Sequence, residues 1–187
     1  MRLRTFKFFM TLFFLLGTTS RAEALLETSL FYFTDSLVTD DTATNTTTYL
    51  DLSYSFKATK SNWLWIGWTY GQHSNVDANE NSYTSTGHGP RFLFWLGRKG
   101  DFTLALSYLL VAKASYSAGG ATAQEWQGTA LRGEFGYAQD LTETLKLGIK
   151  LNYLSFSFSE EFVGEAFTPI AYTRTVIMPA ISLSWDF

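Results

Sequence analysis

The sequence predicts an all-β chain: an eight-stranded antiparallel up-and-down transmembrane β-barrel preceded by a signal peptide. Three observations carry that expectation. The 187-residue chain opens with a basic segment followed by a short apolar run. Eight later segments alternate apolar and polar residues with period two, the pattern of half-buried strands. The apolar faces of those segments hold no Asp, Glu, Lys or Arg, whereas the opposite faces hold eleven.

The first element is the leader. Arg2, Arg4 and Lys7 form a basic start, 8-FFMTLFFLL-16 a short apolar core, and Ala22-Glu23-Ala24 an A-x-A cleavage pattern. Nine residues as a helix span only about 14 Å, too little for a bilayer's hydrocarbon core. Residues 1–24 are therefore read as a signal peptide and residues 25–187 as the barrel domain.

Composition narrows the class. With no cysteine, there is neither a disulfide framework nor thiol chemistry. A net charge of −3 with scattered basic residues excludes an electrostatic nucleic-acid footprint. Seventeen Phe, ten Tyr and six Trp beside only three Pro favour strands. No later stretch is long and apolar enough for a helical membrane span.

The strands follow in order. In 26-LETSLFYF-33 both faces carry aromatics, and in 48-TYLDLSYSFK-57 Leu50, Leu52 and Tyr54 oppose Asp51, Ser53 and Lys57. In 63-WLWIGWTYGQH-73, Ile66, Trp68 and Tyr70 oppose Gly67, Thr69 and Gly71, and in 90-PRFLFWLG-97 Phe92 and Phe94 oppose Arg91 and Leu93. The run 102-FTLALSYLLVAKASY-116 sets Leu104, Leu106, Leu110 and Ala112 against Ala105, Ser107 and Lys113. In 126-WQGTALRGEFGY-137, Leu131 and Phe135 oppose Arg132 and Glu134. In 145-LKLGIKLNYLSFS-157, Leu147, Ile149 and Leu151 oppose Lys146, Gly148 and Lys150. The last, 174-RTVIMPAISLSWDF-187, sets Ile177, Ile181 and Leu183 against Arg174, Ala180 and Asp186. Connections alternate in length. Turn-rich 58–62, 97–101 and 139–143 are short; 37–46, 74–85, 117–123 and 159–171 are longer, so four loops are expected on one rim.

Which face looks outward is decided by what each face tolerates. The polar face is rich in Gly, Ala and Ser, which suit the crowded inside of a narrow barrel. Aromatics gather near strand ends on the apolar face, as in interfacial girdles. Leucines are therefore expected to face lipid, and lysines the lumen. The chain resembles small eight-stranded outer-membrane barrels of Gram-negative bacteria, the OmpX-like and OmpA transmembrane-domain families. The resemblance rests on the leader, the eight strands and the ending 181-ISLSWDF-187. That ending, through Trp185 and Phe187, is similar to the carboxy-terminal signal read by the outer-membrane barrel assembly machinery.

The expected lumen charge network comprises Glu27, Asp51, Lys57, Arg91, Lys113, Arg132, Glu134, Lys146, Lys150, Arg174 and Asp186. Hairpin counting places Glu134 near Lys146, Lys150 and Arg132, Glu27 near Lys57, and Lys146 near Asp186. The first functional expectation is a non-enzymatic monomer in the bacterial outer membrane, with a filled polar lumen and four surface loops. Its partners would be membrane lipid and the assembly machinery; no cofactor, metal or nucleic acid is expected. The alternative is an OmpW-like carrier or narrow channel for small molecules, to which Phe31, Phe33, Leu93 and Trp95 would contribute apolar lining. Phe162, Phe167 and Ile170 are the apolar anchors a binding partner could use. A lipid-modifying enzyme is the least favoured. His73 and His88 are the only histidines, and adjacent His73 and Ser74 point to opposite faces of a strand. Acidic residues Asp40, Asp41, Asp77, Glu80, Glu160, Glu161 and Glu165 lack calcium-loop spacing.

Overall fold

A computed structural model describes residues 23–38, 42–59, 63–96, 101–119, 121–163 and 166–187. Eight strands follow one another around a closed antiparallel barrel: β1 Ala24–Val38, β2 Thr42–Lys57, β3 Leu64–Val76 and β4 Ser82–Leu96, then β5 Phe102–Ser117, β6 Gln124–Asp140, β7 Leu145–Val163 and β8 Ala166–Asp186. The expected signal peptide lies outside the described residues except for Glu23 and Ala24. Ala24 already belongs to the wall, exchanging 2.9 Å backbone hydrogen bonds with Phe187. The end where β1 begins and β8 stops is here called the base, and the opposite end the rim.

The side chains sort as the alternation requires. Ile149 and Ile177 on the outside are 66% and 64% exposed, whereas Leu25 and Leu93 inside are 1% and 0% exposed. Such an apolar exterior has no place in water and matches acyl chains. Near the base, Trp185 and Phe187 meet edge-on at 5.9 Å, and Phe102 meets Tyr137 at 5.2 Å. Exposed Tyr32, Tyr70, Tyr108 and Tyr153 stand further up their strands.

The strands are longer than the alternation indicates. Most of 37–46, 74–85 and 159–171, expected as loops, is paired strand: Thr42–Thr47 belong to β2, Ser82–Ser85 to β4, and β7 and β8 reach Val163 and Ala166. The reason is hydropathic. Above the membrane both faces of a strand are wet, so the Thr- and Ser-rich extensions keep strand propensity but lose the apolar–polar contrast. The rim connections that join described strands are consequently no longer than those at the base. In the β3–β4 turn, Asp77 accepts from the Asn81 side-chain amide at 2.9 Å and from the Asn79 and Asn81 N–H groups. These bonds, the Asn81 amide foremost, hold its carboxyl below the usual range.

A β-bulge corrects the reading of β5. Between Leu109 and Ala112 the register shifts against both neighbours. One extra residue exchanges the faces, so Ala112 is buried inside and Lys113 is exposed outside.

The ladder that closes the barrel is also short. The β1–β8 ladder runs only from Leu25–Asp186 to Leu30–Ile181. Above it β1 continues to Val38 paired with β2, and β8 extends to Ala166 paired with β7. Continuing the same register would set Tyr32 against Pro179, which has no N–H to donate. From there to the rim no β1–β8 pairing is present among the described residues, and this unpaired stretch is here called the seam.

Gly89 sits where the bulge brings two strands together. A Cβ there would lie 1.9 Å from the Tyr108 carbonyl oxygen, while one on Gly133 would meet only Leu106 Cδ2 at 4.0 Å. Gly89→Ala is expected to lower barrel stability by about 1–3 kcal/mol. Gly133→Ala should stay within about 0.5 kcal/mol of the parent. Urea unfolding in lipid vesicles measures both.

Candidate functional site

Inward-facing residues build the lumen in layers. Nearest the base, Leu25, Trp65, Leu93 and Ala105 form an apolar cluster, with Trp95 packed against it. Above it lie three carboxylates and three cations, all buried: Glu27, Asp51 and Glu134 with Arg91, Arg132 and Lys150. Their formal charges cancel. Above these, Tyr49, Leu109, Leu154, Phe156, Phe158 and Met178 form a second buried apolar cluster.

Each charge in the middle layer has an opposite partner. Arg91 donates through Nη2 to Glu27 at 2.6 Å and to Glu134 at 2.9 Å. Arg132 pairs with Asp51, and its Nε lies 3.0 Å from Glu134. Lys150 pairs with Glu27 and donates to Glu134 at 3.2 Å. Polar neighbours take up further valences. Tyr49 donates to Asp51 at 3.0 Å and Ser184 to Glu27 at 3.1 Å, while Arg132 also donates to Thr69 at 3.0 Å. Burying an ion alone would be prohibitive, and it becomes tolerable here because pairing and hydrogen bonding accompany it.

Toward the rim the interior becomes an aromatic vestibule. Trp126 stacks on Tyr116 at 6.1 Å and meets Phe158 at 5.8 Å and Tyr172 at 5.4 Å. Arg174 lies 3.5 Å above the Tyr83 ring, and Tyr83 in turn faces His73 at 6.0 Å. On the outer wall beneath the rim, Phe162 and Phe167 border an open groove of about 480 Å³ that also touches Thr84, Lys113 and Glu125.

Among solved structures, Neisserial surface protein A (NspA) aligns with a TM-score of 0.54 at 13% identity, covering 90% of this chain and 98% of its own. The chain has an outer-membrane β-barrel fold. AlkL, an outer membrane protein solved in lipid bilayers, aligns at a TM-score of 0.42 and 11% identity, covering 89% of this chain and 90% of its own. OmpT, an outer membrane protein of Vibrio cholerae, aligns at 0.33 and 12%, covering 90% of this chain and 53% of its own. No protein-family model matches the sequence, and no curated protein does either.

Within this outer-membrane barrel the eleven candidate charges separate into groups. Six form the middle layer. Lys57 pairs with Glu23 at 2.7 Å rather than with Glu27. Lys146 pairs with Asp140, lies 5.4 Å from the Trp95 ring, and faces the base rather than Glu134. Asp186 is half-buried at the base, and Arg174 belongs to the vestibule. Lys113 is outside the barrel altogether, displaced by the bulge. Trp185 and Phe187, the candidate assembly signal, are exposed on the outer surface.

Hairpin counting recovers Glu134 with Lys150 and Arg132. It misses Arg91–Glu27 and Arg132–Asp51, which cross the lumen between strands distant in sequence. It also misses the second apolar cluster, although a signal exists. After Tyr153, outward Ser155 and Ser157 alternate with inward Leu154, Phe156 and Phe158, so hydrophobicity changes face within one strand. Of the two histidines, His73 is buried inside and His88 lies outside, 5.9 Å from Trp68. Ser74, with its Oγ 3.1 Å from Thr84 Oγ1, is on the outer face away from His73. Ile170, expected as a surface anchor, packs partly buried against the second cluster.

Glu134 contacts all three cations of the layer. Glu134→Gln is expected to cost about 3–5 kcal/mol by leaving one positive charge uncompensated. Glu134→Gln with Lys150→Met restores neutrality and should recover part of that loss. Denaturant midpoints of the folded barrel in lipid vesicles give the comparison.

Proposed function

We propose that this chain acts in the bacterial outer membrane as a non-enzymatic, monomeric barrel sealed against ion flow, with its working surface at the rim. The observation carrying this reading is the charge-neutral middle layer held between two apolar clusters. An ion entering from either end would have to displace packed side chains and then break paired charges. Eight-stranded lumens are just wide enough for side chains to fill, and a filled lumen supports a plug rather than a pore. The partners in this reading are outer-membrane lipid along the wall and the assembly machinery at Trp185 and Phe187. Both termini of the barrel lie at the base, which in outer-membrane barrels is the periplasmic end.

A second reading, a carrier for small apolar molecules, is favoured by one observation: the β1–β8 seam. In this reading the unpaired stretch is the lateral route between the aromatic upper lumen and the outer half of the membrane, bypassing the charged layer. In this form the molecule moves between the rim and the lipid, and the seal below remains intact.

Purified protein in planar bilayers is expected to leave baseline conductance unchanged. Stable, reproducible single-channel steps would overturn the sealed reading.

A further inference from the structure

We infer that the upper lumen binds an amphipathic carboxylate, its head held by Arg174 and its apolar chain lying along the β1–β8 seam. This rests on the carrier reading and adds the chemistry of the ligand.

The first observation is an unmatched cation. The other cations inside the barrel are each within ion-pair distance of a carboxylate. Arg174 is half-buried and lies over the Tyr83 ring, and among the described residues its guanidinium has neither an ion-pair partner nor a hydrogen-bond acceptor. The second is a group of polar atoms gathered around it. Tyr83, Ser85 and His73 are 2%, 1% and 3% exposed. Yet His73 Nδ1 has no hydrogen-bond partner among the described residues, and the Tyr83 hydroxyl and Ser85 Oγ have none beyond one another. His73 and Ser85 face each other across the β3–β4 ladder, and Ser85 Oγ lies beside the Tyr83 hydroxyl. Leaving buried polar atoms short of partners is costly, so their gathering beside Arg174 favours an acceptor there.

A carboxylate answers this donor set. Its two oxygens match the planar guanidinium in a bidentate pair, and the hydroxyls can donate to the remaining lone pairs. A single cation suits a single negative charge better than a doubly charged phosphate. The apolar requirement comes from the surroundings. Phe31 and Val176 pack against the second cluster beside the seam, and Met178 is buried within it. From Arg174 down β8 to the point where the ladder closes is roughly 20 Å at strand rise, room for a long unbranched chain.

The test uses the full barrel in nanodiscs of zwitterionic lipid, at a pH where the acid is ionised. The probes are bromine-tagged dodecanoate and bromine-tagged dodecanol, read by tryptophan quenching. Dodecanoate should quench saturably, with half-saturation at least ten-fold below that of dodecanol, and Trp126→Phe should remove most of the saturable part. Arg174→Gln, checked for folding by heat-modifiable migration, should erase the preference for the acid while alcohol binding persists. Arg174→Lys should restore part of it. Equal strength of acid and alcohol in the parent, or an acid preference surviving Arg174→Gln, overturns the inference and leaves the carrier reading standing. Absence of saturable quenching by either probe overturns both.

Discussion

The constraint on which the structure depends is that the wall touches lipid, so charges and backbone must find their partners within the chain. Acyl chains offer the backbone neither donors nor acceptors, and a strand can cross them only if its neighbours pair with it. The same absence of water fixes the side chains. Leucine and isoleucine occupy the exterior, which leaves the lumen as the place for Glu27, Asp51, Arg91, Arg132, Glu134 and Lys150. Once enclosed, those six must neutralise one another, because none can reach bulk solvent. Their arrangement follows from the orientation of the faces.

Much of this could be read from sequence because alternation with period two is rigid. A strand that keeps its hydrogen bonds cannot turn one residue over without turning them all. The alternation therefore identifies eight strands, the outward leucines and the inward position of all six buried charges. It fails where the physics behind the pattern changes. Beyond the membrane both faces are wet, so residues such as Thr46 and Thr84 read as loop although they are paired strand. At Leu110–Val111 one inserted residue exchanges the faces, which sends Lys113 outside; no single residue there announces a bulge. Charge pairs such as Arg91–Glu27 close across the barrel, and their partners depend on curvature, which hairpin counting does not contain. The aromatic upper lumen was legible in principle: Leu154, Phe156 and Phe158 continue the face of Lys150 and Asn152, so the inward face turns greasy partway up β7.

Proline explains why β1 and β8 separate. Prolines in sheets are confined to edges, strand starts and bulges. Pro179 lies just above the last β1–β8 pair, and Pro169 stands near the free end of β8. A strand edge marked by prolines is also poorly suited to accept an additional strand. The unpaired stretch is thus protected against pairing with another chain.

The height at which the seam begins matters as much as its existence. Glu27 lies opposite Ser184 on the closed part of the β1–β8 ladder and accepts its hydroxyl. The complete ring of paired strands therefore encircles the charged layer. If the gap reached lower, acyl chains would lie against Glu27 and Lys150, and the desolvation that their pairing offsets would be aggravated. Above Leu30 and Ile181 the adjoining interior is Phe31, Met178 and Val176, which tolerate lipid contact. Wall and filling are matched level by level: the barrel is continuous where its contents are ionic and parted where they are apolar. A lateral opening in this fold is compatible with a buried ion network only in that order.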